Sequence, residues 1–172
     1  SNDLVLKSYE YVSGNQVGSD IDGEAAGDQF GRSVSISSDG TRVAIGAPFN
    51  DGTGTYDNGH VRIYSESGGT WSQVGSDIDG GAAYDESGFS ISLSSDGTRV
   101  AIGAPRTDWG GNDHVRVYAE SSGVWNQVGS DIDGEAGTDL SGHSVSMSSD
   151  GTRVAIGAIL NDGNGSNSGH VR

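Results

Sequence analysis

One eleven-residue stretch, SSDGTRVAIGA, occurs three times, at residues 37–47, 94–104 and 148–158. A chain built this way must fold as repeated units that bury their apolar faces against one another. The spacing from Asp39 to Asp96 is 57 residues and from Asp96 to Asp150 is 54. The difference is confined to one stretch. Gln16 to Asp39, Gln73 to Asp96 and Gln127 to Asp150 are each 23 residues, whereas Asp39 to His60 is 21, Asp96 to His114 is 18 and Asp150 to His170 is 20. The units therefore run over approximately 16–72, 73–126 and 127–172 of a single repeat domain spanning 1–172, with 1–15 as a terminal strand that completes a blade.

Each unit reads as four short strands. SVSIS alternates polar and apolar, placing Val34 and Ile36 on one face, and Ile91 with Leu93 and Val145 with Met147 repeat it. Asp39-Gly40 is a signal for a two-residue hairpin. TRVAIGA follows as a second strand whose Ala44, Gly46 and Ala47 suit a crowded centre. HVRIYSE is the third strand, and WSQVG opens the fourth. No window has a helical period. Four strands per unit of roughly 55 residues predict an all-β chain of β-propeller blades. Propeller rings have about four to eight blades, so three require completion by homodimerisation or by further blades of a longer chain. In a dimer, the Leu4–Val12 strand of one chain would complete the last blade of its partner.

Composition narrows the function. Asp and Glu number 24 against 9 Lys and Arg, a net charge of −15 that repels nucleic acid and anionic membranes. There is no cysteine, hence no disulfide and no thiolate site. No apolar run is long enough to span a membrane, and no signal peptide is visible, although Ser1-Asn2 fits a processing or tag scar.

At Phe30-Gly31 and Gly46-Ala47-Pro48 the chain resembles the FG-GAP repeat of integrin-α-type β-propellers. Gly103-Ala104-Pro105 keeps the second half of that pattern, and the third copy has Gly157-Ala158-Ile159. Ser87 and Ser141 stand where the aromatic of the first half belongs, before Gly88 and Gly142. The resemblance implies an extracellular or cell-surface, non-enzymatic binding or adhesion propeller. The family's calcium loop between the first two strands has no counterpart here, where only SSDG stands.

The segment GSDIDGEAAGDQFG, from Gly18, returns from Gly75 and Gly129 at fixed length. Its acids are Asp20, Asp22 and Asp28, then Asp77, Asp79 and Asp85, then Asp131, Asp133 and Asp139. Grouped hard oxygens make them candidate calcium ligands. The alternative is a corner between blades, in which Asp side chains accept from local backbone N–H groups. Catalysis by these acids is not expected, since they recur in every unit and no asymmetric nucleophile–base pair stands out.

The variable loop is the candidate ligand site, because length variation in repeats collects on binding faces. Its residues are Asn50, Asp51, Tyr56 and Asp57, then Asp108, Trp109 and Asp113, then Asn161, Asp162 and Asn164. Their oxygens suit calcium or a sugar, and Tyr56 and Trp109 offer stacking faces; a plain turn is the competing reading. His60, His114 and His170, the arginines at 42, 99, 153, 62, 116 and 172, and Trp71 with Trp125 read as structural. The expected role is recognition of a protein or glycan without chemistry of the chain's own. The alternative is a structural self-assembly unit, stabilised by calcium in one version.

Overall fold

The computed structural model describes residues 16–52, 56–105 and 113–172. The expected Leu4–Val12 strand lies outside the described residues, as do Asp108 and Trp109. Thirteen strands and no helix are found among those described.

The first unit holds β1 (Ser33–Ile36), β2 (Arg42–Ala47), β3 (His60–Ser67), β4 (Thr70–Gln73) and β5 (Ile78–Asp79). The second repeats this as β6 (Ser90–Leu93), β7 (Arg99–Ala104), β8 (His114–Ser121), β9 (Val124–Gln127) and β10 (Ile132–Asp133). The third supplies β11 (Ser141–Met147), β12 (Val154–Ala158) and β13 (His170–Val171). Each unit is one antiparallel sheet in sequential order. The expected fourth strand is split in two: β4 and β5 both pair with β3, as β9 and β10 both pair with β8. The break falls where Gly75 and Gly129 adopt positive φ, which steps the chain sideways before it rejoins the sheet.

The hairpin between β1 and β2 also differs from expectation. Gly40 N donates to the Ser37 carbonyl, so the turn spans Ser37 to Gly40 rather than Asp39-Gly40 alone. Asp39 keeps negative φ and works through its side chain instead: one carboxylate oxygen accepts from Ser37 Oγ, Thr41 N and Thr41 Oγ1. Asp96 and Asp150 do the same. These hydrogen bonds hold Asp39 and Asp150 at about 2, below the usual carboxylate range.

The sheets stack face to face and meet most closely at their first two strands; β6 packs on β1 and β2, and β11 on β6 and β7. Small residues in the second strand permit that approach. A methyl group on Gly46 would overlap the Gly88 carbonyl oxygen, and one on Gly103 the Gly142 carbonyl oxygen. The core lies in the seams between sheets. Ala44, Val61, Ile63 and Ile78 of the first unit meet Ile91, Leu93, Val100 and Ile102 of the second. Ala101 and Val115 then meet Ile156, flanked by Val145 and Met147.

Polar bonds repeat across both seams. Ser33 Oγ donates to the Gly88 carbonyl at 2.6 Å and Ser90 Oγ to the Gly142 carbonyl at 2.7 Å. Leu93 N donates to Ser35 Oγ and Met147 N to Ser92 Oγ, both at 2.9 Å. Ser38 N reaches the Ser95 carbonyl as Ser95 N reaches that of Ser149. Arg42 Nη1 donates to the Gly97 carbonyl and Arg99 Nη1 to that of Gly151. At the outer edge Trp125 Nε1 donates across the first seam to the Val74 carbonyl, and Trp71 Nε1 makes the same bond to the Val17 carbonyl in the segment that precedes the first sheet. The arginines and tryptophans thus take the linking and packing roles their recurrence suggests.

Candidate ligand site at the loop end of the blades

The repeated acidic segment is a corner, and most of its acids are occupied by the protein. Arg62 donates through Nε and Nη2 to Asp77 at 3.0 and 2.9 Å, and Arg116 does so to Asp131 at 3.0 and 2.8 Å. Gln16, Gln73 and Gln127 each donate to the first Asp of the next corner. The Arg116 guanidinium holds Asp131 at about 2. Asp28 and Asp139 are buried and accept from Asn50 and Asn161 at 2.8 and 2.7 Å. Asp85 accepts from Gly81 N and Ala82 N. Asp79 and Asp133 sit on the short strands β5 and β10. Asp20 and Asp22 line a shallow outer groove with Tyr64 and Trp71, which Asp77 and Asp79 repeat with Tyr118 and Trp125.

The nine acids therefore do not converge copy by copy as calcium ligands. Among the described residues, one group of three metal-capable side chains lies close together: Glu24, His60 and Asp77. The Arg62 guanidinium pairs with both of its carboxylates, so a positive charge already stands among them. His60 is buried beside that guanidinium, and burial first, then Arg62, push its pKa down.

The variable loops divide into parts that brace the backbone and parts that face outward. Asn50 and Asn161 turn inward and also cap Gly52 N and Gly163 N. Asp51 and Asp162 accept from the backbone N–H of Asp57 and Asn167. Asn164 is exposed, and its N–H donates to Ser168 Oγ. These residues close turns, which is what Asn and Asp do when their side chains compete for local backbone groups. Tyr56, Asp57 and Asp113 behave differently. Tyr56 is exposed and stacks on Tyr84 of the next corner, with ring centroids 6.1 Å apart and planes 11° from parallel.

Beside this stack, at the loop end of the blades, lies a cavity of about 550 Å³. Phe49 and Asp57 of the first loop contribute to it, with Tyr84 and Glu86 of the second corner. Pro105 and Asp113, which flank the second loop, form another wall, and Leu140 and Leu160 of the third unit a further one. Backbone bonds fix the corner against the loop: Tyr84, Glu86 and Ser87 N–H groups donate to the carbonyls of Tyr56, Asp57 and Asn58. Asp113 is buried, and its carboxylate accepts from Ser141 N at 3.2 Å. Burial, with a smaller contribution from the Asp139 charge, pushes its pKa up to about 6.

Tyr84, Glu86 and Leu140 are site residues that loop variability does not reveal. The signal was present in another form: at fixed length, the residues flanking the corner Asp change from Gly27 and Gln29 to Tyr84 and Glu86 to Thr138 and Leu140. Gln29, Glu86 and Leu140 also share positive φ, at 53, 49 and 54°. A non-glycine held there in every copy aims its side chain in a direction ordinary backbone does not offer.

Three sheets stacked by repeated seams, with loops and corners gathered at one end, define a segment of a β-propeller. The chain belongs to the FG-GAP repeat family, whose model matches residues 20–64 and 130–171. The chain is similar in structure to the periplasmic gluconolactonase PpgL of Pseudomonas aeruginosa, with a TM-score of 0.53 and 16% identity over 76% of this chain and 37% of that one. It is also similar to TolB from Acinetobacter baumannii, with a TM-score of 0.43 and 15% identity over 81% of this chain and 31% of that one. The chain thus spans about a third of the length of either structure. No curated protein sequence matches it. The comparison with PpgL corrects one expectation. An enzyme is built on this fold, so a role without chemistry does not follow from the blades.

Proposed function

We propose that this is a secreted or cell-surface binding module that takes a glycan in the loop-end cavity. The observation that carries the reading is the makeup of that cavity: all three units contribute, a stacked tyrosine pair stands at its side, and its charged groups are Asp57, Glu86 and Asp113. Carboxylates accept hydrogen bonds, and sugar hydroxyls supply donors. A tyrosine face offers the apolar surface on which the C–H side of a sugar ring rests. The same carboxylates disfavour phosphorylated or nucleic-acid ligands, in line with the net charge of −15. The family and the periplasmic neighbour support a place outside the cytoplasm.

A glycan array followed by titration calorimetry tests this. Tyr84→Ala and Asp57→Asn should each lower affinity at least about tenfold, a loss of about 1.4 kcal/mol. Val124→Ala, on the far outer strand, should leave affinity unchanged. Binding to no glycan, or equal binding by all three variants, refutes the proposal; capture of a protein in place of any glycan refutes the ligand class.

A further inference from the structure

The outer groove of the first seam holds an acid that the fold does not use. The groove lies between the two five-stranded sheets and encloses about 230 Å³. Ser76, Asp77 and Asp79 of the corner line it, together with Tyr118, Val124 and Trp125 of the second sheet. Asp79 is exposed on β5, and its carboxylate takes no hydrogen bond or ion pair among the described residues. The other two aspartates of that corner are held, Asp77 by Arg62 and Gln73 and Asp85 by Gly81 N and Ala82 N. The groove recurs one unit earlier at about 300 Å³, with Asp22, Tyr64 and Trp71 in place of Asp79, Tyr118 and Trp125. Asp22 too is exposed and bonded to no side chain or backbone group among the described residues. Turn geometry and ion pairing thus account for the neighbouring acids but not for this one, which both grooves keep.

Three properties set what such a groove receives. Its rings are fixed: Trp125 Nε1 donates to the Val74 carbonyl, and Tyr118 and Trp125 both rest against the core of the first seam. A fixed aromatic face attracts a cation through its quadrupole. The uncommitted charge beside the rings is negative: burial, and to a smaller degree the Asp79 charge, push the Tyr118 hydroxyl up. The cation nearest that hydroxyl, Arg116, is tied to Asp131 by two hydrogen bonds. The whole chain, at −15, repels anions and draws basic groups in. A carboxylate or phosphate would meet like charge here, whereas a basic side chain offers donors to Asp79 and an alkyl stem to the rings.

We infer that these grooves take the basic side chains of a protein segment, one to each groove, with the stem on the rings and the charge on Asp79 or Asp22. The repetition favours a protein segment over a free amine. The two aspartates stand 57 residues apart in sequence, one unit from the next along the outer edge, so a single segment engages both grooves and binds more tightly for being linked. The grooves share no residue with the loop-end cavity, so this inference does not rest on the glycan reading.

Proton–nitrogen correlation spectra of the tryptophan indole groups test it. Trp125 and Trp71 each report one groove, and Trp125→Phe and Trp71→Phe assign their signals. Nα-acetyl-lysine methylamide should shift both. Asp79→Asn, at an exposed position, should weaken the response at Trp125 about fivefold or more and leave that at Trp71 intact, and Asp22→Asn should do the reverse. The same probe acetylated at Nζ keeps the stem but loses the charge, and it should shift neither signal. Hexalysine should bind at least about tenfold tighter per lysine than the single residue. Indole signals unmoved by either lysine probe, an equal response to the acetylated probe, or indifference to Asp79→Asn overturns the inference. Hexalysine no tighter per lysine than the single residue overturns the protein segment as the partner.

Discussion

Asp113 supplies a test of how the site and the stability of the fold are joined. Its carboxylate is buried, 1% exposed, and burial raises it from 3.8 to about 6. At neutral pH it is therefore ionised in a place that disfavours the charge. Each factor of ten in acidity is about 1.4 kcal/mol, so ionised Asp113 costs the fold about 3 kcal/mol relative to the unfolded chain. Between about pH 4 and 6 the folded chain binds more protons at this group than the unfolded chain does, so its contribution to stability falls as pH rises and levels off above that window. Asp113→Asn removes the charge and keeps a carbonyl oxygen to accept from Ser141 N. The variant should be more stable than the parent by about 1–3 kcal/mol near pH 7.5, with the difference vanishing toward pH 4. Urea unfolding of both chains at several pH values measures this. Taking the difference between chains removes His60, whose lowered pKa tilts both curves in the opposite sense. A variant less stable than its parent near pH 7.5, or a difference independent of pH, would refute the reasoning. Glycan affinity of the same variant shows whether the buried charge is retained for binding.

Other consequences are simpler to read. Gly103→Ala forces a methyl group onto the Gly142 carbonyl across a seam and should cost about 3 kcal/mol, whereas Gly157→Ala meets only the movable Ser144 hydroxyl and should cost under about 1 kcal/mol; thermal melts compare them. Trp125→Phe keeps the ring but strips the donor to the Val74 carbonyl, and a loss of about 1 kcal/mol in urea unfolding is expected. Since Asp77 and Asp131 are already paired with arginine, millimolar calcium should move the melting temperature by less than about 2 °C; a rise of several degrees would mean that the corner acids regroup around the ion.

The architecture was open to reading because each unit repeats its own instructions. The small residues of the second strand, the alternating first strand and the arginines at fixed places all appear three times, and they form the seams. The site was less open, for two physical reasons. Asn50, Asn161, Asp51 and Asp162 have the chemistry of ligands, but in a tight loop the nearest donors are backbone N–H groups, and these residues bind them. The cavity owes as much to the corner, whose constant length suggested a purely structural part. Tyr84, Glu86 and Leu140 change within that constant frame, and the positive φ that all three adopt aims them at the cavity.

The seams have a direction. Ser33 and Arg42 send their donors forward from side chains, and Gly88 and Gly97 of the following unit answer with backbone carbonyls. At the inner strands of each joint the side chains thus come from the earlier unit and the main chain from the later one, whereas Trp125 and Glu120 of the later unit add side chains toward the outer edge. A mutation in one unit's serines or arginine disturbs a single joint and no other. Duplicating or deleting a whole unit leaves every remaining joint with a sender and a receiver. Copy number can therefore drift in such a chain without redesign of its joints, while the loops and corners at one end diversify independently.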